Sequence, residues 1–158
     1  MLVERSSETV ADFDTVFDRE RLAITRLAYL LVRVEAVAEE LAQEAFLRLF
    51  KNFGRVENPA GFLRTAVVRL ALTWRSRDVM ERERVAMTCA ANDQTVTEPD
   101  ETWDAIGRLR PERAAVLVLR FYEDLSTSDI SQILGCPQAS VRSRMRRALN
   151  DLRKELEP

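Results

Sequence analysis

Four arginines stand within six residues near the end of the chain, Arg142, Arg144, Arg146 and Arg147, in a protein whose formal net charge is −2. A guanidinium is planar, permanently charged and shaped to meet phosphate oxygens in pairs, so such a cluster offers phosphate-backbone recognition. From 138 to 154 six basic residues (Arg142, Arg144, Arg146, Arg147, Arg153, Lys154) face one acid, Asp151. A polyanion responds to this local excess rather than to the charge of the whole chain. The competing account is an ordinary solvated helix face whose arginines pair with Asp151 and Glu155. Little other chemistry is on offer. The sequence has no histidine, no glycine-rich phosphate loop and no metal-ligand cluster, and its carboxylates fall on amphipathic faces. No catalytic residue, metal or cofactor is therefore expected, and an enzyme is not expected. Cys89 and Cys136 fit no metal or redox spacing and read as two reduced thiols.

The stretch "LSTSDISQILGCPQASVRSRMRRALNDLRKE" places the arginines on the second of two short helical patterns. Ser126 is a helix cap with Asp129 three residues on, as in a capping box. Ile130, Ile133 and Leu134 point inward, Gly135 suits a left-handed C-terminal cap, and Pro137 restarts the chain as a first-turn residue. Helix, glycine-bearing turn, helix is helix-turn-helix grammar. In the second helix Val141, Met145, Leu149 and Leu152 form the inward stripe. Gln138, Ser140, Arg142, Ser143, Arg144 and Arg147 face outward, where N-terminal residues meet base edges in the major groove and arginines hold phosphates.

The remaining elements are helical too. The chain is 158 residues long and 46% hydrophobic, with only four glycines and five prolines, enough for a core and favourable to helices. Apolar periodicity predicts a first helix from about Val10 to Val34 (Phe13, Phe17, Ile24, Leu27, Leu31) and a second from about Ala36 to Phe53. Gly54 ends the second. Asn58 and Pro59 open a third, running to about Arg77 and burying Phe62, Leu63, Ala66, Val67 and Leu70. Periodicity lapses in "MTCAANDQTVTEPD", residues 87–100, which reads as a linker. The chain restarts at "ETWDAIGRL", and Pro111 opens a helix to about Tyr122; "AVLVLRFY" has strand-like composition, but its helical neighbours favour helix. No run approaches the roughly 20 apolar residues of a membrane span, and "MLVERSSETV" is no secretory signal, so a cytoplasmic location is expected.

With these residues in place, both halves resemble one family, the bacterial sigma-70-type factors. "LRPERAAVLVLRFYEDLSTSDISQILGCPQASVRSRMRRALNDLRKEL" is similar to their C-terminal region 4. "AEELAQEAFLRLF" resembles the polymerase-binding helix of region 2, and "NPAGFLRTAVVRLALTWRSR" its promoter-melting helix. Two regions and a short linker resemble the extracytoplasmic-function (ECF) group. The resemblance implies an all-α chain of two small domains: a region 2-like bundle over 1–79, a flexible linker over 80–100 and a region 4-like helix-turn-helix over 101–158. It implies core RNA polymerase and promoter DNA as partners, and possible control by an anti-sigma factor.

Roles carry over by the same resemblance. Glu39, Glu40, Leu41, Gln43, Glu44, Phe46 and Arg48 match the helix that docks on core polymerase, although the acids alone read as a solvated face. Asn52, Arg55 and Asn58, with the helix after them, match the part that captures a flipped base of the −10 element. Arg69, Trp74, Arg75 and Arg77 are candidates beside the melted strand, with Trp74 equally readable as a core partner of Leu70. Gln138, Ala139, Ser140, Arg142, Ser143, Arg144 and Arg147 match the −35-reading helix. The acidic linker (Asp93, Glu98, Asp100, Glu101) mimics nucleic acid in the polymerase channel or merely confers solubility. The family usually has an acid where Val37 stands, an asparagine where Arg69 stands and an aspartate where Thr73 stands, so the −10 preference of this chain departs from the common one. The alternative is a stand-alone helix-turn-helix regulator of the response-regulator output type, which shares a weaker form of the C-terminal pattern. Residues 1–80 offer it no βα alternation and no phosphate-accepting aspartate after a strand.

Overall fold

A computed structural model describes residues 2–85 and 101–157, with side-chain surroundings for 12–81 and 101–157. Residues 80–85 of the expected 80–100 linker are helical, and residues 86–100, with Cys89, lie outside the described residues. Those residues form seven α-helices and two short irregular turns, with no strand among them.

The first three helices, α1 (Leu2–Val32), α2 (Glu35–Asn52) and α3 (Pro59–Val85), pack on one another. Their apolar stripes meet at Leu27, Leu31, Leu49, Leu63 and Val67, all fully buried. At one end the rings cluster: Phe17 lies 4.8 Å from Phe46, and Phe13 stands edge-on to Phe46, Phe50 and Phe53. α1 turns into α2 without glycine or proline. Arg33 takes a left-handed backbone (φ 60°) while its N–H bonds the Tyr29 carbonyl at 2.8 Å. That conformation costs a non-glycine residue about 1–2 kcal/mol. The offset comes from its side chain, whose guanidinium lies over the Tyr29 ring and pairs with Asp104.

α3 begins as its sequence demands, with the Gly61 N–H donating to Asn58 Oδ1 at 3.1 Å. It ends at Val85 rather than near Arg77, because arginines and glutamates after Asp78 are good helix formers and no breaker intervenes. α2 ends in a 3₁₀ turn at Phe53–Arg55, so Gly54 lies inside the turn.

In the second half, α4 (Glu101–Arg108) leads to α5 (Pro111–Leu117), whose apolar run is buried without a break from Ala114 to Leu119. The helix widens into a π turn at Val118–Tyr122, and the Glu123 N–H bonds the Val118 carbonyl at 3.1 Å. Burial on every side explains the strand-like composition: α5 packs against α3, α4 and α7. α6 (Thr127–Leu134) and α7 (Gln138–Leu156) complete the helix-turn-helix. One apolar core runs through both halves.

Candidate nucleic-acid interface

The turn between α6 and α7 is built from local bonds. Ser126 Oγ accepts from the Asp129 N–H at 3.1 Å, and Gly135 takes φ 66°. The Cys136 N–H bonds the Ser131 carbonyl at 3.2 Å, and the Ser131 hydroxyl donates to the Cys136 carbonyl at 2.8 Å. Pro137 sits one position before the helix rather than in its first turn. These bonds fix how α7 leaves α6. The inward stripe of α7 runs through Val141, Met145, Ala148 and Leu152; Leu149 is exposed and belongs to the surface. Four residues on from Met145 would fit a straight stripe, but Ala148 is the residue small enough to lie against α5.

Asp151 and Glu155, the acids available to neutralise α7, are taken by other helices. Asp151 accepts from Arg113 of α5, and Glu155 pairs with Arg108 of α4 at 3.0 Å. Arg142, Arg146 and Arg147 are exposed and form no ion pair among the described residues. The expected pairing of these arginines with Asp151 and Glu155 is therefore not formed. Arg144 is half-buried, 3.6 Å from Cys136 Sγ, and steadies the turn. Gln138 and Ala139 are exposed at the tip of the helix, with Ser140 and Ser143 half-buried beside them. A groove of about 600 Å³ runs between this face and the π turn, lined by Arg120, Thr127, Ala139, Arg142 and Arg146. Arg120, anchored by donation to the Leu125 carbonyl at 2.9 Å, did not stand out in the sequence. Its signal was a single charge inside an otherwise apolar run.

On α2 the expected docking residues separate. Glu39, Glu40, Gln43, Glu44 and Arg48 are exposed, with Glu44 and Arg48 paired at 3.1 Å. Leu41 is half-buried, and Phe46 is only 4% exposed, inside the ring cluster. Phe46 thus holds the helix in place and presents nothing to a partner. The apolar residues on the outer face are Leu47 and Phe50, 55% and 53% exposed. Their signal was helical phase, since Leu47 falls in line with Glu40 and Gln43.

The −10 candidates separate too. Arg55 and Arg77 are exposed, and Asn52 and Asn58 are exposed with their amides engaged at helix ends. Trp74 lies half-buried against the core, as its core reading anticipated. Arg69 donates to the Ile133 carbonyl at 3.1 Å. Arg75 is 8% exposed and donates to the Gly107 and Leu109 carbonyls at 3.0 and 2.7 Å, so it is a buried tie between the halves. Among the described residues no group of carboxylate or thiol side chains is placed to hold a metal, and no helix is long and apolar enough to cross a membrane.

Comparison with known proteins finds a match for each half of the chain. Sigma-70 region 2 matches residues 16–79, and sigma-70 region 4 matches residues 100–152. The chain is 30% identical to the RNA polymerase sigma-E factor of Streptomyces antibioticus, with 94% of this chain and 86% of that one aligned. It is 29% identical to the probable RNA polymerase sigma factor RfaY of Xanthomonas campestris, over 84% of this chain and 37% of that longer one. In fold it is similar to the sigma factor RpoE of Bartonella quintana, solved in complex with the anti-sigma factor NepR, with a TM-score of 0.71, 20% identity, and 92% and 96% of the two chains covered. A region 2 match over most of the first half leaves the stand-alone regulator without support. The chain belongs to the sigma-70 family of RNA polymerase sigma factors, in its extracytoplasmic-function group.

Proposed function

We propose that α7 reads the upstream promoter element, that the outer face of α2 docks on core polymerase, and that the segment from Asn52 into α3 traps an unstacked base of the downstream element. The observation that carries this reading is the unneutralised arginine face. With Asp151 and Glu155 engaged elsewhere, Arg142, Arg146 and Arg147 stay free for phosphates, and Arg120 closes one wall of the groove beside them. Gln138, Ala139 and Ser140 at the tip of α7 then meet base edges, where sequence is read.

Docking through α2 uses Leu47 and Phe50 as apolar anchors inside a rim of Glu39, Glu40, Gln43, Glu44 and Arg48, the usual arrangement of a protein interface. Extracting a base from the duplex costs a few kcal/mol, which stacking and pocket contacts offset. Arg55 and Arg77 are placed to hold the exposed strand, and Arg69 joins them when freed from Ile133. The chain contributes binding energy in the cytoplasm, where the polymerase works, and the polymerase performs the chemistry. An anti-sigma factor is the natural class of regulator, as for the Bartonella protein.

The direct test is reconstitution. Purified chain is mixed with bacterial core polymerase, resolved by size exclusion and assayed for run-off transcription from genomic promoter fragments. Co-elution with promoter-specific transcripts is expected. Specific duplex binding without co-elution would overturn the reading.

A further inference from the structure

Asp151 is the one acid of α7 that helical spacing brings to the arginine face. Side chains three and four residues apart on a helix are neighbours, with Cβ atoms about 5–6 Å from each other. Arg142 and Arg146 have no carboxylate at those spacings on either side, whereas Arg147 has Asp151 four residues on. Glu155 has only Asp151 and Leu152 behind it at those spacings, so it neighbours no arginine of the cluster along α7. Both acids pair across to other helices, Asp151 with Arg113 of α5 and Glu155 with Arg108 of α4. Only the first of these pairs takes a carboxylate away from a phosphate-facing arginine. Arg147 is accordingly exposed, with no ion pair among the described residues.

From this asymmetry we infer that Arg113 is a positioning residue for promoter binding: it holds the Asp151 carboxylate off Arg147 and so preserves a phosphate contact that it never makes itself. The inference rests on the reading of α7 as the DNA-binding helix. Arg113 is well placed for the task. It stands on α5 beside the run from Ala114 to Leu119, which is buried throughout and packs against α7, so the core fixes the backbone that carries it. The side chains of Arg113 and Asp151 are 26% and 27% exposed. Ion pairs this open to solvent add little to stability, so the consequence of this one lies in where the charge goes. Without Arg113, the cations one turn from Asp151 are Arg147 behind and Lys154 ahead. Whatever share of Arg147 the acid takes is withdrawn from phosphate. Its negative charge then opposes the DNA backbone inside the Debye length, about 10 Å at 0.1 M salt.

The test reads promoter affinity against salt by fluorescence anisotropy, with the full chain, core polymerase and a labelled duplex cut from a promoter recovered in the reconstitution. Arg113→Gln and, independently, Arg113→Met are expected to make the slope of log K against log salt shallower by about 0.5–0.9, up to one phosphate. From 50 to 200 mM salt the wild type then loses about two- to 3.5-fold more affinity than either variant. Arg113→Lys keeps a cation opposite Asp151 and is expected to keep the wild-type slope. Asp151→Asn breaks the same ion pair from the other side but releases no carboxylate, so it too should keep that slope. Adding Asp151→Asn to Arg113→Gln should restore it. Arg108→Gln frees Glu155 instead and should stay within about 0.3 of wild type. A tie that only held α7 against α5 gives another pattern, with Arg113→Gln and Asp151→Asn equally impaired and the double variant no better. That pattern overturns the inference, and so does a wild-type slope in both Arg113→Gln and Arg113→Met. Arg147→Ala separates this inference from the reading beneath it, with a slope expected to be shallower by about 0.9. If Arg147→Ala keeps the wild-type slope, the assignment of α7 to phosphates falls and takes the inference with it. If Arg147→Ala is shallower while the Arg113 variants are not, the inference alone falls.

Discussion

The groove between α7 and the π turn yields a prediction in numbers. Replacing Arg120, Arg142 and Arg146 together with alanine removes three guanidinium groups from one phosphate-facing wall. Each phosphate neutralised on B-form DNA contributes about −0.9 to the slope of log K against log salt, through counterion release. The triple variant should therefore bind its promoter duplex with a slope shallower by about 2.7. Between 50 and 200 mM salt, a fourfold change, the wild type should lose about 40-fold more affinity than the variant. The assay is fluorescence anisotropy of a labelled −35 duplex with the full chain and core polymerase, titrated with potassium chloride. Arg108→Ala serves as the control, since Arg108 pairs with Glu155 on another side of the domain and should leave the slope within about 0.3 of wild type. A triple variant that is weaker at every salt but keeps the wild-type slope would refute the phosphate assignment, leaving those arginines as base contacts or structural ties.

Leu47→Arg should weaken core polymerase association by more than about tenfold, roughly the cost of one interface anchor, with thermal stability unchanged because Leu47 is 55% exposed. Leu41→Arg should also abolish polymerase binding and spare duplex binding, but its half-buried position should lower the melting temperature as well; a variant that still assembles holoenzyme would count against the docking face. Phe46→Ala should cost about 3–5 kcal/mol of stability, on the order of a 10 °C drop for a chain of this size, measured by differential scanning calorimetry. Ser126→Ala should cost about 1 kcal/mol through loss of the cap to Asp129, and Gly135→Ala about 1–2 kcal/mol from its left-handed backbone. Both are read from thermal unfolding followed by circular dichroism.

The helix-turn-helix was legible because its signals are local. A hydroxyl three residues before an N–H and a glycine where φ turns positive declare themselves within ten residues. The helical character of all three N-terminal elements was legible for the same reason, through periodicity. The turn at Arg33 was not. Its left-handed backbone is held in part by Asp104, seventy-one residues away, and no local residue type advertises it. Phe46 misled because resemblance assigns a role to a helix, whereas the phase of its buried stripe assigns each side chain to a face. The inward position of Ala148 in place of Leu149 shows the same limit: helical spacing allows either, and the bulk of α5 decides. Arg75 looked like a surface cation because a buried arginine and a DNA-facing one are spelled alike.

Arg69 and Arg75 end on main-chain oxygens, and every amino acid supplies that atom. Leu109 and Ile133 can therefore drift among apolar residues without loosening their bonds, while the other side must keep a long side chain that ends in an N–H donor. Across diverging descendants such a contact leaves a one-sided record: the donor is held fixed, and no compensating change appears at the acceptor. Methods that infer proximity from paired substitutions would register Arg33 with Asp104 and Arg64 with Glu123, and would pass over the three main-chain bonds of Arg69 and Arg75, of which the one to Leu109 is buried. Position 107 alone keeps a signature on the receiving side, because any side chain there meets Arg33.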